Sequence, residues 1–193
     1  MSYQLDFYAL DHARLQSAFG GGDQVLVDRI LAEGELDDEA QDALREFVLG
    51  ERGRLLAQRP PGGRPERASA AQAKAIAALI RTLGVWIGET NHASGGAEGF
   101  LDLLTNSRYE PPQFADPSLA WQLLGHPIAG LENPGDFPQW GGLARADMPL
   151  FIGAAGTVFE RPDDDDVVEW AADIHQAVRA ALGKGCDLVT IYG

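Results

Sequence analysis

Cysteine is almost missing from this chain: Cys186 is the only one in 193 residues. No intrachain disulfide can form, and no thiolate metal site can form within one chain, which matches a reducing compartment. Cations are scarce as well. Lys and Arg number 15 against 29 Asp and Glu, a formal net charge of -14. Such a surface repels phosphate backbones and attracts basic ones, so it argues against nucleic-acid binding and leaves open a basic protein partner. No apolar run reaches about 18 residues, so no transmembrane helix is expected. The start, MSYQLDFYALD, has no basic region followed by an apolar core. A cleaved export signal is therefore not expected there, and the cytoplasm is the expected location. There is no Gly-x-Ser-x-Gly elbow, no His-Glu-x-x-His and no His-x-x-x-His pair, so nothing calls for a cofactor or a particular reaction.

What is present is ordinary for a globular protein: 45% hydrophobic and 23% charged residues. A chain of this length buries roughly 70% of its unfolded surface, enough for one domain over residues 1–193. The 23 glycines and 11 prolines predict many turns between apolar runs.

Residues 3–10 alternate with a period of two and are rich in aromatics, which predicts a strand. Asp11 is placed to cap a short helix ending near Phe19, with Gly20, Gly21 and Gly22 as its stop. Asp23 caps a second helix that turns Leu26, Ile30 and Leu31 inward. Leu36, Ala40, Leu44, Phe47 and Val48 follow a helical period, with Asp37, Asp38 and Glu39 in the first turn where the dipole favours them. Together these make an acidic helical pair at about 23–51, expected to lie outside the main core. Residues 52–67 carry five arginines and one acid around Pro60-Pro61-Gly62-Gly63. They read as a long basic loop that pairs with the acidic helix, drives self-association or cradles a phosphate.

Ile76, Ile80, Leu83 and Ile87, with Trp86 beside them, predict a central helix over 70–88 in which Gly84 admits a close neighbour or a kink. Asp116 and Pro117 read as the cap and first position of a helix stopped by Gly125. Residues 126–156 are too rich in glycine and proline for long helices, and short strands are expected at 150–152 and 156–159. Residues 163–166 open a last helix that ends at Gly183, and 186–192 form a closing strand beside the first.

Several groups of residues offer chemistry. The acids at 163–166 resemble a cation site, but consecutive carboxylates diverge, and helix N-terminal charge explains them more simply. Glu89 and His92, three apart, are spaced to share a metal or a proton, or simply to cap a helix end. His126 lies in a turn between Gly125 and Pro127, and His175 lies at the edge of the core on the last helix. The glycine-rich stretch 94–100 lacks a P-loop lysine and places Glu98 where an anion would be repelled. Trp121 and Trp170 sit on amphipathic helices, where core packing is expected. Trp140 and Phe137 sit in a glycine-rich stretch where no helix explains burial.

The stretches Leu119-Ala120-Trp121-Gln122-Leu123-Leu124-Gly125-His126-Pro127-Ile128, Trp140-Gly141-Gly142-Leu143-Ala144-Arg145-Ala146-Asp147-Met148 and Gly185-Cys186-Asp187-Leu188-Val189-Thr190-Ile191-Tyr192 resemble, in order, those of bacterial domain-of-unknown-function proteins, including the YfbM-like group. The strand at 3–10 followed by Asp11 is similar too. The resemblance implies an α+β fold with both terminal strands in one sheet, and it carries over no catalytic residue. The acidic helices and the arginine segment depart from that pattern.

The expected fold is α+β, a small sheet holding both terminal strands against the helices of 70–88 and 163–183. The first expected function is a non-enzymatic binding protein of the immunity type. Its acidic face occludes a basic partner through Glu35, Asp37, Asp38, Asp42 and Glu46. The alternative is an enzyme or small-molecule binder with a loop-lined pocket around His92, His126 and Trp140. A charge-paired homo-oligomer is a third.

Overall fold

The computed structural model describes residues 3–59, 64–92, 116–134, 138–153 and 165–193. Its centre is a four-stranded antiparallel sheet in the order β3-β1-β6-β5, formed by Val85–His92, Tyr3–Ala9, Leu188–Tyr192 and Gln139–Leu143. The two terminal strands are therefore neighbours, with Leu5 opposite Tyr192 and Ala9 opposite Leu188. The period-two pattern of β1 sends Tyr8 to one face of the sheet and Leu5, Phe7 and Ala9 to the other. Strand β6 divides in the same way, with Val189 and Ile191 on the first face and Leu188 and Tyr192 on the second.

Helices cover both faces. On the first lie α1 (His12–Ala18), α2 (Gln24–Ala32), α3 (Asp38–Val48), α4 (Glu51–Ala57) and α5 (Ala70–Leu83). On the second lie a 3-10 turn (Pro117–Trp121), α6 (Gln122–Gly125), α7 (Met148–Ile152) and α8 (Asp165–Gly183). A two-residue parallel ladder joins β2 (Glu66–Arg67) to β4 (Leu131–Glu132). The architecture is α+β.

The acidic helical pair is not outside the core. Leu26, Val27, Ile30, Leu44, Phe47 and Val48 are all buried in the cluster on the first face, because the acids occupy only the opposite side of each helix. The predicted helix over 70–88 stops at Leu83. Gly84 is extended, at φ -84° and ψ 164°, and its N–H closes the last turn on the Ile80 carbonyl. The aromatic and branched run that follows pairs with β1 as a strand. Trp86 therefore sits on an edge strand at 55% exposure instead of in the core. Residues 150–152 are helical, since Pro149 has the backbone angle of a helix's first turn. Within the described part of the arginine segment, residues 52–57 belong to helix α4 and Glu66–Arg67 form strand β2. Arg54 pairs with Glu51, while Arg52 and Arg59 both reach Glu66. The predicted strand at 156–159, the glycine stretch 94–100, Phe137, Asp163 and Asp164 lie outside the described residues.

Trp140 is 1% exposed because it belongs to β5, not to a loop. The two glycines after it let neighbours press on both faces of that strand. A Cβ on Gly141 would overlap the Leu123 carbonyl at the start of α6, and one on Gly142 would stand 3.2 Å from Nε2 of His12.

Candidate functional site

The five predicted contact acids are all exposed, but their own chain treats them differently. Glu35 pairs with Arg81 at 3.6 Å, Asp37 with Lys74 at 2.5 Å and Asp42 with its helix neighbour Arg45 at 3.0 Å. The Lys74 hydrogen bond, helped by the Ala40 N–H, holds the Asp37 carboxyl below its usual range. Asp37 also caps α3, accepting from Ala40 N at 2.9 Å. Asp38 and Glu46 form no ion pair among the described residues. Asp38, Asp42 and Glu46 are spaced four apart, so they share one stripe of α3. The stripe points away from Ala40, Leu44, Phe47 and Val48, which are buried.

The predicted pocket of His92, His126 and Trp140 is not one place. His92 faces Tyr3 in the β1–β3 ladder. His126 stacks on His12, which lies past the opposite end of β1. The seven residues of β1 separate those ends, a distance of about 20 Å at strand rise. Trp140 is sealed in the core, and its indole Nε1 finds no hydrogen-bond acceptor.

The structure assembles a different group around His126. Its ring lies parallel to that of His12, with centroids 5.1 Å apart and planes 7° apart. Asp187, just ahead of β6, anchors this corner. One carboxylate oxygen accepts the His12 backbone N–H at 2.8 Å and lies 3.5 Å from the His12 Nδ1; the other accepts the Arg145 backbone N–H at 2.8 Å. A carboxylate beside Nδ1 favours the tautomer protonated there. The remaining Nε2 is buried against Gly142 without a hydrogen-bond partner among the described residues. Burial lowers the pKa of His12, outweighing Asp187 and Asp11, and His126 lowers it further. Burial also lowers the pKa of His126, partly offset by Asp147 and Asp187. Both rings are therefore neutral at neutral pH.

Beside the two rings opens a cleft of about 280 Å³, lined by His12, Ala13, Leu15, Gln16, His126, Pro127, Ile128 and Ala129. Among the described residues no Lys or Arg lines it. The nearest candidate nucleophile in sequence, Cys186, is partly buried with its Sγ 3.6 Å from the Lys184 carbonyl. Among the described residues no group of three His, Cys, Asp or Glu is placed to hold a metal. No single sequence motif signals this site, because Asp187 and His12 lie 175 positions apart. One trace is Gly142, where a side chain would crowd both the Leu188 carbonyl and His12 Nε2.

No helix among the described residues is long and apolar enough to cross a membrane. Neither the curated proteins nor the solved structures include a significant match to this chain. A family profile does match, over residues 1–193. This chain belongs to the family described as domain of unknown function DUF7691.

Proposed function

We propose that this is a non-enzymatic binding protein of the bacterial cytoplasm whose acidic face occludes a basic protein partner, as an immunity-type protein does. The observation that carries the reading is the stripe of Asp38, Asp42 and Glu46 on a helix whose other face is fixed in the core. A charged row on a rigid support keeps its geometry, so a complementary basic surface meets it with little ordering cost. Among the described residues Asp38 and Glu46 have no cation of their own, and a partner's Lys or Arg would supply a close counter-charge. Glu35 and Asp37 already hold Arg81 and Lys74, so they contribute mainly to the long-range field. Kinship to the YfbM-like group is part of the same proposal and adds no activity to it.

The test compares wild-type protein with the charge-reversed variant D38K/D42K/E46K as bait for basic proteins, the product of a neighbouring gene first among them. The expected result is a basic protein held by the wild type and lost from the variant. Its association rate should fall at least about tenfold as NaCl rises from about 50 to 500 mM. Equal retention by both baits, or an association rate indifferent to salt, refutes the proposal.

A further inference from the structure

We infer that the cleft beside the stacked His12 and His126 rings is a binding site for a small, flat, positively charged nitrogen compound of the amidine, guanidine or protonated-heterocycle class. Shape gives the first restriction. At about 280 Å³ the cleft falls just under the range of roughly 300–1,000 Å³ typical of ligand pockets, so it suits a small compound. Its lining combines the two parallel imidazoles and the Pro127 ring with the apolar Leu15, Ile128 and Ala129. Flat rings and an apolar floor favour a flat ligand.

Charge gives the second. Two guanidiniums close to the cleft in the chain are already engaged, while Arg14, between the lining residues Ala13 and Leu15, stands exposed on α1. Arg145 donates to the Gly185 carbonyl at 2.6 Å, and Arg59 donates to the Gly130 carbonyl at 3.1 Å and to Glu66 at 3.2 Å. Among the described residues no Lys or Arg lines the cleft itself for an anion to meet. The ionised groups that act on the two rings are carboxylates: Asp11 and Asp187 on His12, and Asp147 and Asp187 on His126. The field in the cleft therefore favours positive charge. The polar atoms it offers accept protons. Gln16 gives its amide N–H to the Ala57 carbonyl, which leaves its oxygen as the acceptor, and a neutral His126 ring keeps one bare nitrogen.

The same chemistry sets a pH signature. Protonating His12 or His126 puts positive charge into the wall and repels a cation, so binding weakens in acid.

Three probes of one shape separate the possibilities: benzamidine (cationic), benzamide (neutral) and benzoate (anionic). Each is titrated into the full chain while the side-chain NMR signals of His12 and His126 are followed. Benzamidine should shift both signals saturably, with a Kd of about 1 mM or tighter at about pH 7.5 and at least about tenfold weaker at about pH 5.5. Benzamide should bind more weakly and benzoate not at all. Ala13→Trp places bulk at the mouth of the cleft from an exposed helix position and should abolish the shifts while leaving Tm unchanged. If that variant folds poorly, His126→Leu, which removes one ring of the wall, should give the same loss. The inference is overturned by no saturable shift up to about 20 mM benzamidine, by benzoate binding as well as benzamidine, or by undiminished binding in a folded variant.

Discussion

His12 and His126 show how far a residue's behaviour depends on its surroundings. Each began as an isolated histidine with no partner in its own stretch of sequence. The fold stacks the two rings and holds both pKa values below the ordinary histidine value, by burial above all. The sign of the consequence follows. Below about pH 6.5 the unfolded chain binds protons that the folded chain resists, so the stability these residues contribute is present above that pH and is lost as pH falls beneath it. Between about pH 7.5 and 5.5 the wild-type Tm should drop by roughly 2–4 °C more than that of His126→Leu, measured by differential scanning calorimetry. Both rings touch solvent at the cleft, which keeps the effect small. Identical pH profiles would mean the stack carries no linked proton. Local residue readings fared better where the partner was also local. Asp23 caps α2 by accepting from Leu26 N at 3.0 Å, as its position predicts. Asp11 occupies the equivalent place before α1 but makes no side-chain cap bond, and the first N–H of that helix, of His12, goes to the remote Asp187.

At the scale of elements, pattern predicted existence well and type less well. The strands at both ends and the helices α2, α3, α5 and α8 follow from apolar periodicity. The boundary after Leu83 did not, since Ile87 continues the helical spacing of Ile76, Ile80 and Leu83 and only pairing with β1 turns it into a strand. Glycine again marks where elements meet closely. Gly53 is buried in α4, and a Cβ there would overlap the Phe47 carbonyl at the end of α3. That carbonyl also accepts the Gly20 N–H at 2.7 Å, so it has no freedom to withdraw. Gly53→Ala should therefore cost about 1–3 kcal/mol, read as a lower urea midpoint with an unchanged slope. An unaltered midpoint would show that α3 and α4 can slide apart freely.

The whole molecule carries a formal charge of -14, and most of the Lys and Arg ion pairs among the described residues lie at exposed positions where each contributes little. Self-repulsion among the remaining carboxylates opposes compactness. Raising NaCl from about 20 to 200 mM shortens the Debye length and should raise Tm by a few degrees. The charge-reversed variant D38K/D42K/E46K, six units less negative, should gain less from the same salt. A Tm that falls with salt would mean that attractive pairs outweigh the repulsion.

The sequence by itself determined the α+β composition, the apolar faces of the helices, the terminal strands and the acidic stripe of α3. All of these depend on residues within a few positions of one another, where helix or strand period fixes which side faces inward. The tertiary structure alone decided that Asp187 anchors His12, that His126 lies on that ring, and that Trp140 disappears into the sheet while Trp86 stays on its edge. Those outcomes need strands remote in sequence to be brought side by side, and sheet order is set by packing across the whole chain, not by any local pattern of side chains.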